Sequence, residues 1–310
     1  TDAARAPQLT ALGACQQQQQ QQSASGLSEA ARRRAEQELG ETPETRSAAL
    51  SALRSAIQSD ATMRCRTDDA FLLKFLRHRK FNVDGAHKRI RAYLRVRRKF
   101  PDVFDDYGPA GVRPVLEDGV LVVLPHRDGE GRRIVLYRLG LWDCAKYSST
   151  ELVRATCVVM EALLEEEDTQ VCGVSVVLDM SGLALRHIRR LDLRYFRRYR
   201  AVVHKALPVR VCALNVVRGG RFFNTTCRVA SALLPSKLAD RVHNHGDDVA
   251  ALHACVPAAL LPPEPPFHGC LAVQLPLTPF YHQLMSGHWT EWFGQNSLQC
   301  INDDESGSGD

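Results

Sequence analysis

From Pro114 onward the chain alternates short aliphatic runs with longer helical ones, and this rhythm limits its fold more than any other feature. Residues 120–124 (VLVVL), 133–139 (RIVLYRL), 173–179 (GVSVVLD) and 211–217 (VCALNVV) have the length and β-branched content of strands. Helical patterns fill residues 149–166 and 191–207. Strands joined through helices run parallel, and apolar runs without strict alternation mean that both sheet faces are covered. The expectation is an α/β domain with a mostly parallel sheet.

The region before it reads as all-helical. Residues 36–54 carry one helical pattern, and Thr67 starts a second in which Phe71, Leu72, Phe75 and Leu76 share a face. A third begins at Val83, places Ile90, Tyr93, Leu94 and Arg97 at helical spacing, and is closed by Pro101. Residues 1–27, with glutamines from Gln16 to Gln22, lack the apolar surface to offset ordering entropy and are expected to be a disordered tail. The divisions expected are 28–105 for the helical domain, 106–270 for the α/β domain, and 271–310 for a C-terminal tail with one short helix near Trp289–Phe293 and a solvated acidic ending.

Composition narrows function by exclusion. A chain of 310 residues with 45% hydrophobic residues buries a full core without staples. Its ten cysteines show no CxxC pair or metal-ligand spacing, which reads as reduced and intracellular. No apolar run approaches the roughly 18 residues of a spanning helix, so membrane contact is expected to be peripheral. Nucleotide loops of the GxxxxGK[ST] kind, HExxH and GxSxG are missing. Gly129-Glu-Gly131 reads as a hairpin turn, His243-Asn-His245 as the end of a helix before Gly246, and Glu165–Asp168 as a solvated helix end.

Charge is unevenly spread. Between Arg186 and Arg241 stand 14 Lys and Arg against 2 Asp and Glu, so a net charge of +5 hides a local surplus of +12. Arg189, Arg190, Arg194, Arg197 and Arg198 form one side of a helix whose other side is Ile188, Leu191, Tyr195, Tyr199, Val202 and Val203. Arginine in such excess suits anionic phosphates. On the preceding helix, Val153, Thr156, Cys157, Met160 and Leu164 oppose Glu151, Arg154 and Glu161, a periodicity that alone reads as core packing.

The run Arg66-Thr-Asp-Asp-Ala-Phe-Leu-Leu-Lys-Phe-Leu-Arg-His-Arg-Lys-Phe-Asn-Val-Asp84 resembles the opening of the CRAL-TRIO N-terminal domain. His126–Arg133, Trp142-Asp143, Gly173–Gly182, Leu207–Arg210 and Leu260–Glu264 follow in the order of that family's tocopherol-carrier branch, so the resemblance spans residues 27–270. It implies an N-terminal three-helix segment plus a lipid-binding α/β domain closed by a mobile helical lid. Positions lining the family's cavity become Val153, Thr156, Met160, Val174, Leu178, Leu183, Leu185, Leu191, Val202, Val203, Leu207 and Val209, with Thr156 offering a hydroxyl to a polar head. Residues 218–234 take the lid position, with Phe222, Phe223 and Val229 as its apolar residues and Gly219-Gly220 at its hinge. Arg210, Lys237 and Arg241 match the phosphoinositide-gripping residues. Met160 replaces a small hydroxyl residue, Leu183 a tryptophan, and Cys212 a fourth basic residue.

The implied function is non-enzymatic. An intracellular lipid transfer protein would enclose one tocopherol-like, retinoid-like or other bulky lipid and exchange it at phosphoinositide-containing membranes. It would need no cofactor beyond the bound hydrophobic lipid, no nucleic acid and no second subunit, and would be cytoplasmic with transient visits to endosomal or other phosphoinositide-bearing membranes. The alternative is a phosphoinositide-binding trafficking regulator of the clavesin type with a secondary cavity.

Overall fold

A computed structural model describes residues 26–191, 193–219, 239–272, 275–296 and 300–301. The glutamine tail and the expected lid and cleft residues Phe222, Phe223, Val229 and Lys237 lie outside the described residues.

Each N-terminal helix begins where a side chain satisfies its first free amides. Ser28 caps α1 (Glu29–Arg34), which continues as a π-helical turn, Ala35–Leu39, and stops at Gly40 in the left-handed conformation. A Thr42–Thr45 capping box and Pro43 open α2 (Pro43–Gln58). Asp68 caps α3 (Asp69–His78) and Asn82 caps α4 (Val83–Lys99). Four helices therefore stand where three were expected. The added one is α1, whose buried Ala31, Ala35 and Leu39 pack with Val171 and Cys172 of the α/β domain. Short helices α5 (Pro101–Phe104) and α6 (Pro109–Glu117) lead to the sheet.

Five strands form that sheet in the order β2-β3-β4-β5-β6: β2 (Leu121–Arg127), β3 (Arg133–Arg138), β4 (Val174–Asp179), β5 (Val211–Val217) and β6 (Val242–Gly246). The β2/β3 hairpin turns through Asp128–Gly131 and is antiparallel; the other three pairings are parallel. A second, two-stranded strip joins β1 (Met63–Arg64) to β7 (Cys300–Ile301). Alternate residues serve opposite cores. Leu121, Val123, Val135, Val174 and Val176 join the inner cluster, shared with α7 (Ser149–Leu163) and the N-terminal helices. Val122, Leu124, Ile134, Leu136 and Val177 join the outer one, capped by Leu252 and Val256 around α11 (Val249–Cys255) and by Phe267.

Three expectations are corrected. His243-Asn-His245 lies in β6, not at a helix end: Leu214 and Asn215 of β5 pair with Val242 and His243, and His245 meets the Asn215 amide oxygen at 3.0 Å. The open edge of the apolar strand β5 recruits this polar segment, which its own residues do not announce. The C-terminal region holds two helices, α12 (Pro279–Leu284) and α13 (Gly287–Asn296), because Thr278 caps a turn opened by Pro279.

The third correction concerns Glu165–Asp168, which is not a solvated face. The helix breaks after Leu163 and resumes as α8 (Glu167–Cys172), and the break turns all four carboxylates toward other elements. Glu165 pairs with Lys74. Glu166 receives Arg127 at 2.7 Å, Arg133 at 2.6 Å and the Thr169 hydroxyl at 2.7 Å. Glu167 and Glu41 both pair with Arg77, fully buried on α3, at 2.9 and 2.8 Å, and Gln170 accepts from the same guanidinium at 2.7 Å. Asp168 accepts the Ser28 amide at 2.9 Å.

Removing one partner from a buried ion network leaves charges with neither water nor counterion. Arg77→Met should therefore lower unfolding stability by about 3–5 kcal/mol, read as a fall in the urea midpoint, whereas Arg32→Ala, in an exposed pair with Glu29, should leave the midpoint nearly unmoved.

Candidate functional site

The inner sheet face is roofed by two elements of different character. Helix α7 starts from a Ser148–Glu151 capping box and lays Val153, Cys157 and Met160 against the sheet. Beside it run α9 (Leu185–Arg190), α10 (Leu193–Tyr199) and a π-helical segment, Arg200–Ala206, so the single basic helix expected over residues 191–207 is divided. The π-helical segment rests on α4, where Arg89 donates to the His204 carbonyl at 2.6 Å and meets His78 Nε2 at 3.0 Å. Arg89 has no carboxylate partner among the described residues, and burial lowers its pKa to about 10. Burial, aided by Arg89, likewise holds His78 near 3 and His204 near 4, so both imidazoles are neutral.

The expected wall residues fall into three groups. Val153, Thr156, Met160, Val174, Val202, Val203 and Leu207 are buried, and all but Thr156 belong to the inner cluster. Val153, Val174 and Val202 have no accessible surface, so they stand behind the inner surface rather than on it. Leu178, Leu183, Leu191 and Val209 keep accessible area, although Leu178 sits on central strand β4. Leu185 is corrected: it is 52% exposed at the first turn of α9, whose inward residue is His187.

Three tyrosines complete this face. Tyr137 of β3, opposite Leu178, donates to Thr156 Oγ1 at 3.3 Å, and Thr156 donates to the Leu152 carbonyl at 2.9 Å. The Tyr195 and Tyr199 ring centroids lie 5.9 Å apart. Burial raises all three phenols, Tyr199 to about 12. All three pack on the inner cluster while keeping accessible surface. The signal available was Tyr195 and Tyr199 four residues apart on one face, where aromatic rings count simply as apolar.

At the carboxyl ends of β3 and β4 the rim is tightly built. Gly140 is required there, because a Cβ would lie 1.8 Å from the Ser181 carbonyl oxygen. Trp142 stacks on His187, which accepts the Ala184 amide at Nδ1 (2.9 Å) and meets the Trp142 carbonyl through Nε2 (3.1 Å). Flanking this pair, Leu141 (48%) and Leu185 are exposed. Arg186, Arg189, Arg190, Arg197 and Arg200 are also exposed, and none has an ion-pair partner among the described residues. Arg198 instead turns inward to Asp102 at 2.8 Å.

The expected phosphate cleft is placed at the opposite end of β5. Arg210, just before that strand, pairs with Glu38 at 2.9 Å and donates to the Val171 carbonyl; Arg241 donates to the Val211 carbonyl. Cys212 lies beside them, its Sγ 3.3 Å from the Cys172 carbonyl oxygen. A separate cleft lined by Phe71, Lys74, Tyr93, Glu161 and Trp292 is a packing seam between the N-terminal helices, α7 and α13. Among the described residues no helix is long and apolar enough to cross a membrane, and no group of three or more metal-ligating side chains is assembled.

The CRAL/TRIO domain matches residues 117–264 and the CRAL/TRIO N-terminal domain residues 39–92. Alpha-tocopherol transfer protein-like from Homo sapiens is 34% identical over 232 residues, covering 74% of this chain and 68% of that protein. Clavesin-2 from Mus musculus is 27% identical over 242 residues, covering 77% and 74%. A solved chain titled "Crystal structure of Sfh5" superposes at 10% identity with a TM-score of 0.43, over 69% of this chain and 84% of that one. The chain belongs to the CRAL/TRIO family, a family of lipid-binding and lipid-transfer proteins.

Burial lowers the His187 pKa below its ordinary value, with Arg186 adding to the effect. A proton on Nδ1 would also replace the acceptor that caps the Ala184 amide. Below a pH of about 6.5 the unfolded chain takes up protons at such histidines that the folded one refuses, so folding weakens with acid. The melting temperature should fall between pH 7.5 and 5.5, and His187→Gln should fall less over that interval. An equal fall in both would mean that His187 is not among the groups responsible.

Proposed function

We propose that this chain is a carrier, cytoplasmic and acting as a monomer, that encloses one bulky hydrophobic molecule beneath α7 and the 193–206 segment and exchanges it at phosphoinositide-containing membranes. The observation that carries this reading is the partly accessible patch of Tyr137, Leu178, Leu191, Tyr195, Tyr199 and Val209 on the roofed inner face. Side chains on the central strands of a fully packed domain lose nearly all accessible area. Area left there is area a ligand can cover, at about 25 cal/mol for each Å² of apolar surface buried.

A carrier suits the site's chemistry better than an enzyme. Among the described residues neither Tyr137 nor Thr156 is hydrogen-bonded to a histidine or carboxylate, and burial opposes ionisation of the phenols. The names of the relatives point the same way, since one is a tocopherol transfer protein-like protein. A second reading, a membrane-trafficking regulator with a secondary cavity, is favoured by the exposed arginines Arg186, Arg189 and Arg190 beside Leu185, which have no ion-pair partner among the described residues. Each basic residue near an anionic bilayer contributes about 1 kcal/mol, so this rim alone would hold the protein at a membrane.

Two experiments test the proposal. Val203→Asp places a carboxylate without a partner against the inner cluster; protein purified from eukaryotic cells should then lose co-purifying lipid in native mass spectrometry, and full lipid content in the folded variant would remove the cavity from this face. The second experiment is vesicle co-sedimentation at fixed surface charge. Arg186→Gln, Arg189→Gln, Arg190→Gln together should weaken binding to phosphatidylserine and phosphoinositide vesicles alike. Arg210→Ala, Lys237→Ala, Arg241→Ala together should abolish the preference for phosphoinositides. Retention of that preference would place the headgroup site elsewhere.

A further inference from the structure

Two histidines separated by one residue point in different directions on a helix but share a face on a strand. His243 and His245 lie in β6, the outer strand of the five-stranded sheet, and their rings stand together with centroids 6.4 Å apart and planes 27° from parallel. His243 is exposed and makes no hydrogen bond among the described residues, while His245 is partly exposed.

The row behind them gives the pair a direction. Asn215 on β5 and Ser175 on β4 are buried on the sheet face otherwise lined by Val177, Val217 and Leu252. Buried polar groups cost stability unless their hydrogen bonds are made. Asn215 Nδ2 faces the Ser175 hydroxyl at 3.4 Å and the Val176 carbonyl at 3.5 Å, which leaves Oδ1 to face His245 Nε2 at 3.0 Å. The reverse setting of the amide would press its oxygen against the Val176 carbonyl, two acceptors with no proton between them. An amide oxygen only accepts, so Nε2 carries the ring proton and Nδ1 keeps its lone pair. With Nε2 turned toward β5, Nδ1 is turned away from it. A ring whose far N–H is held by an oxygen is the arrangement that orients metal-binding imidazoles.

Distance and charge agree with that use. Zinc–nitrogen bonds of about 2.0–2.1 Å place an ion about 3.2 Å from the centre of each imidazole, so rings joined by one ion have centroids about 5 to 6.5 Å apart. The pair stands at the upper end of that interval, and rotation of the exposed His243 ring about its soft χ2 torsion closes it. Asp248, the N-cap of α11, is near enough to act on His245. Arg241, just before β6, is turned to the Val211 carbonyl.

We infer that His243 and His245 form a bidentate site for a divalent transition-metal ion of the zinc type, with Asn215 as the residue that positions His245. No third side chain is assembled around the pair among the described residues, so water fills the remaining positions. The site is therefore exchangeable rather than structural, because structural zinc takes four protein ligands. Magnesium and calcium are excluded, since both take oxygen ligands. The site lies on the outer sheet face, away from the face roofed by α7, and does not depend on the carrier reading.

The test uses the full chain labelled with 15N at histidine and Zn2+ alone as the probe. Before zinc is added, the ring spectra should show His245 protonated at Nε2. On titration, Nδ1 of His245 and one nitrogen of His243 should shift together. In equilibrium dialysis, His243→Ala and His245→Ala should each bind zinc at this site at least about tenfold more weakly than the wild type, and Asn215→Leu, which keeps both ligands but removes the oriented acceptor, about 10–100-fold more weakly. Unchanged melting temperatures show that the variants fold; should Asn215→Leu not fold, the wild-type ring spectra decide the role of Asn215, and an Nδ1–H form of His245 overturns it. Zinc retained equally by the two alanine variants, or bound without a shift of either ring, overturns the site. Wild-type affinity in folded Asn215→Leu overturns the positioning role.

Discussion

The break after Leu163 is the feature on which the rest of the molecule depends. An uninterrupted helix would carry Glu165, Glu166, Glu167 and Asp168 around its axis, and at most two would meet any one neighbour. The break instead hands one to α3 at Lys74, one to the hairpin at Arg127 and Arg133, one to buried Arg77, and one to the start of α1. Separate units are thereby fixed to a single corner. Such networks add little net stability over well-packed apolar residues, but they tolerate one arrangement only. The N-terminal helices are held in register with the sheet by geometry as much as by area.

This corner makes the roof over the inner face asymmetric. Helix α7 is anchored at both ends, by the Ser148–Glu151 box and by the carboxylate cluster, and it packs along its length. The opposite side of the roof is divided into short pieces. It is tied down by His187 on Trp142, by Arg198 on Asp102, by Arg89 on the His204 carbonyl and by the burial of Val202, Val203 and Ala206. The side of the roof that carries Tyr195 and Tyr199 is also the side with the exposed arginines, so charge and segmentation fall on the same half of the cover.

Much of this was legible in the residues, for identifiable reasons. The runs at 133–139 and 211–217 match β3 and β5 almost to the residue, because a strand buried on both faces must be apolar throughout. Helix α3 was readable from Phe71, Leu72, Phe75 and Leu76, though its cap proved to be Asp68 rather than Thr67. The family resemblance, confirmed by the matches over 39–92 and 117–264, located the inner face. What remained hidden depends on partners distant in sequence. Glu167 looks solvated until Arg77, 90 positions away, is brought beside it. His243 and His245 look like a helix end until β5 offers its edge. Leu185 sits where the family resemblance implies a wall residue, yet α9 turns His187 inward instead, because the imidazole serves both the Ala184 amide and the Trp142 carbonyl.

The strip joining β1 to β7 has a bearing on how the chain assembles. Met63 and Arg64 pair with Ile301 and Cys300, and the neighbouring Arg66 reaches the Asn296 amide oxygen across 230 positions of sequence. Contacts of that separation are slow to form, since a long loop must close before they repay its entropy. A nascent chain can build its N-terminal helices early, but the strand that seals their base is synthesised more than 230 residues after β1. Until then Met63 and the aromatic face around Phe71 stand uncovered at the seam where Trp292 and Phe293 will dock. The newborn chain thus carries an adhesive apolar edge while the intervening residues are made, a stage at which association with other chains competes with folding.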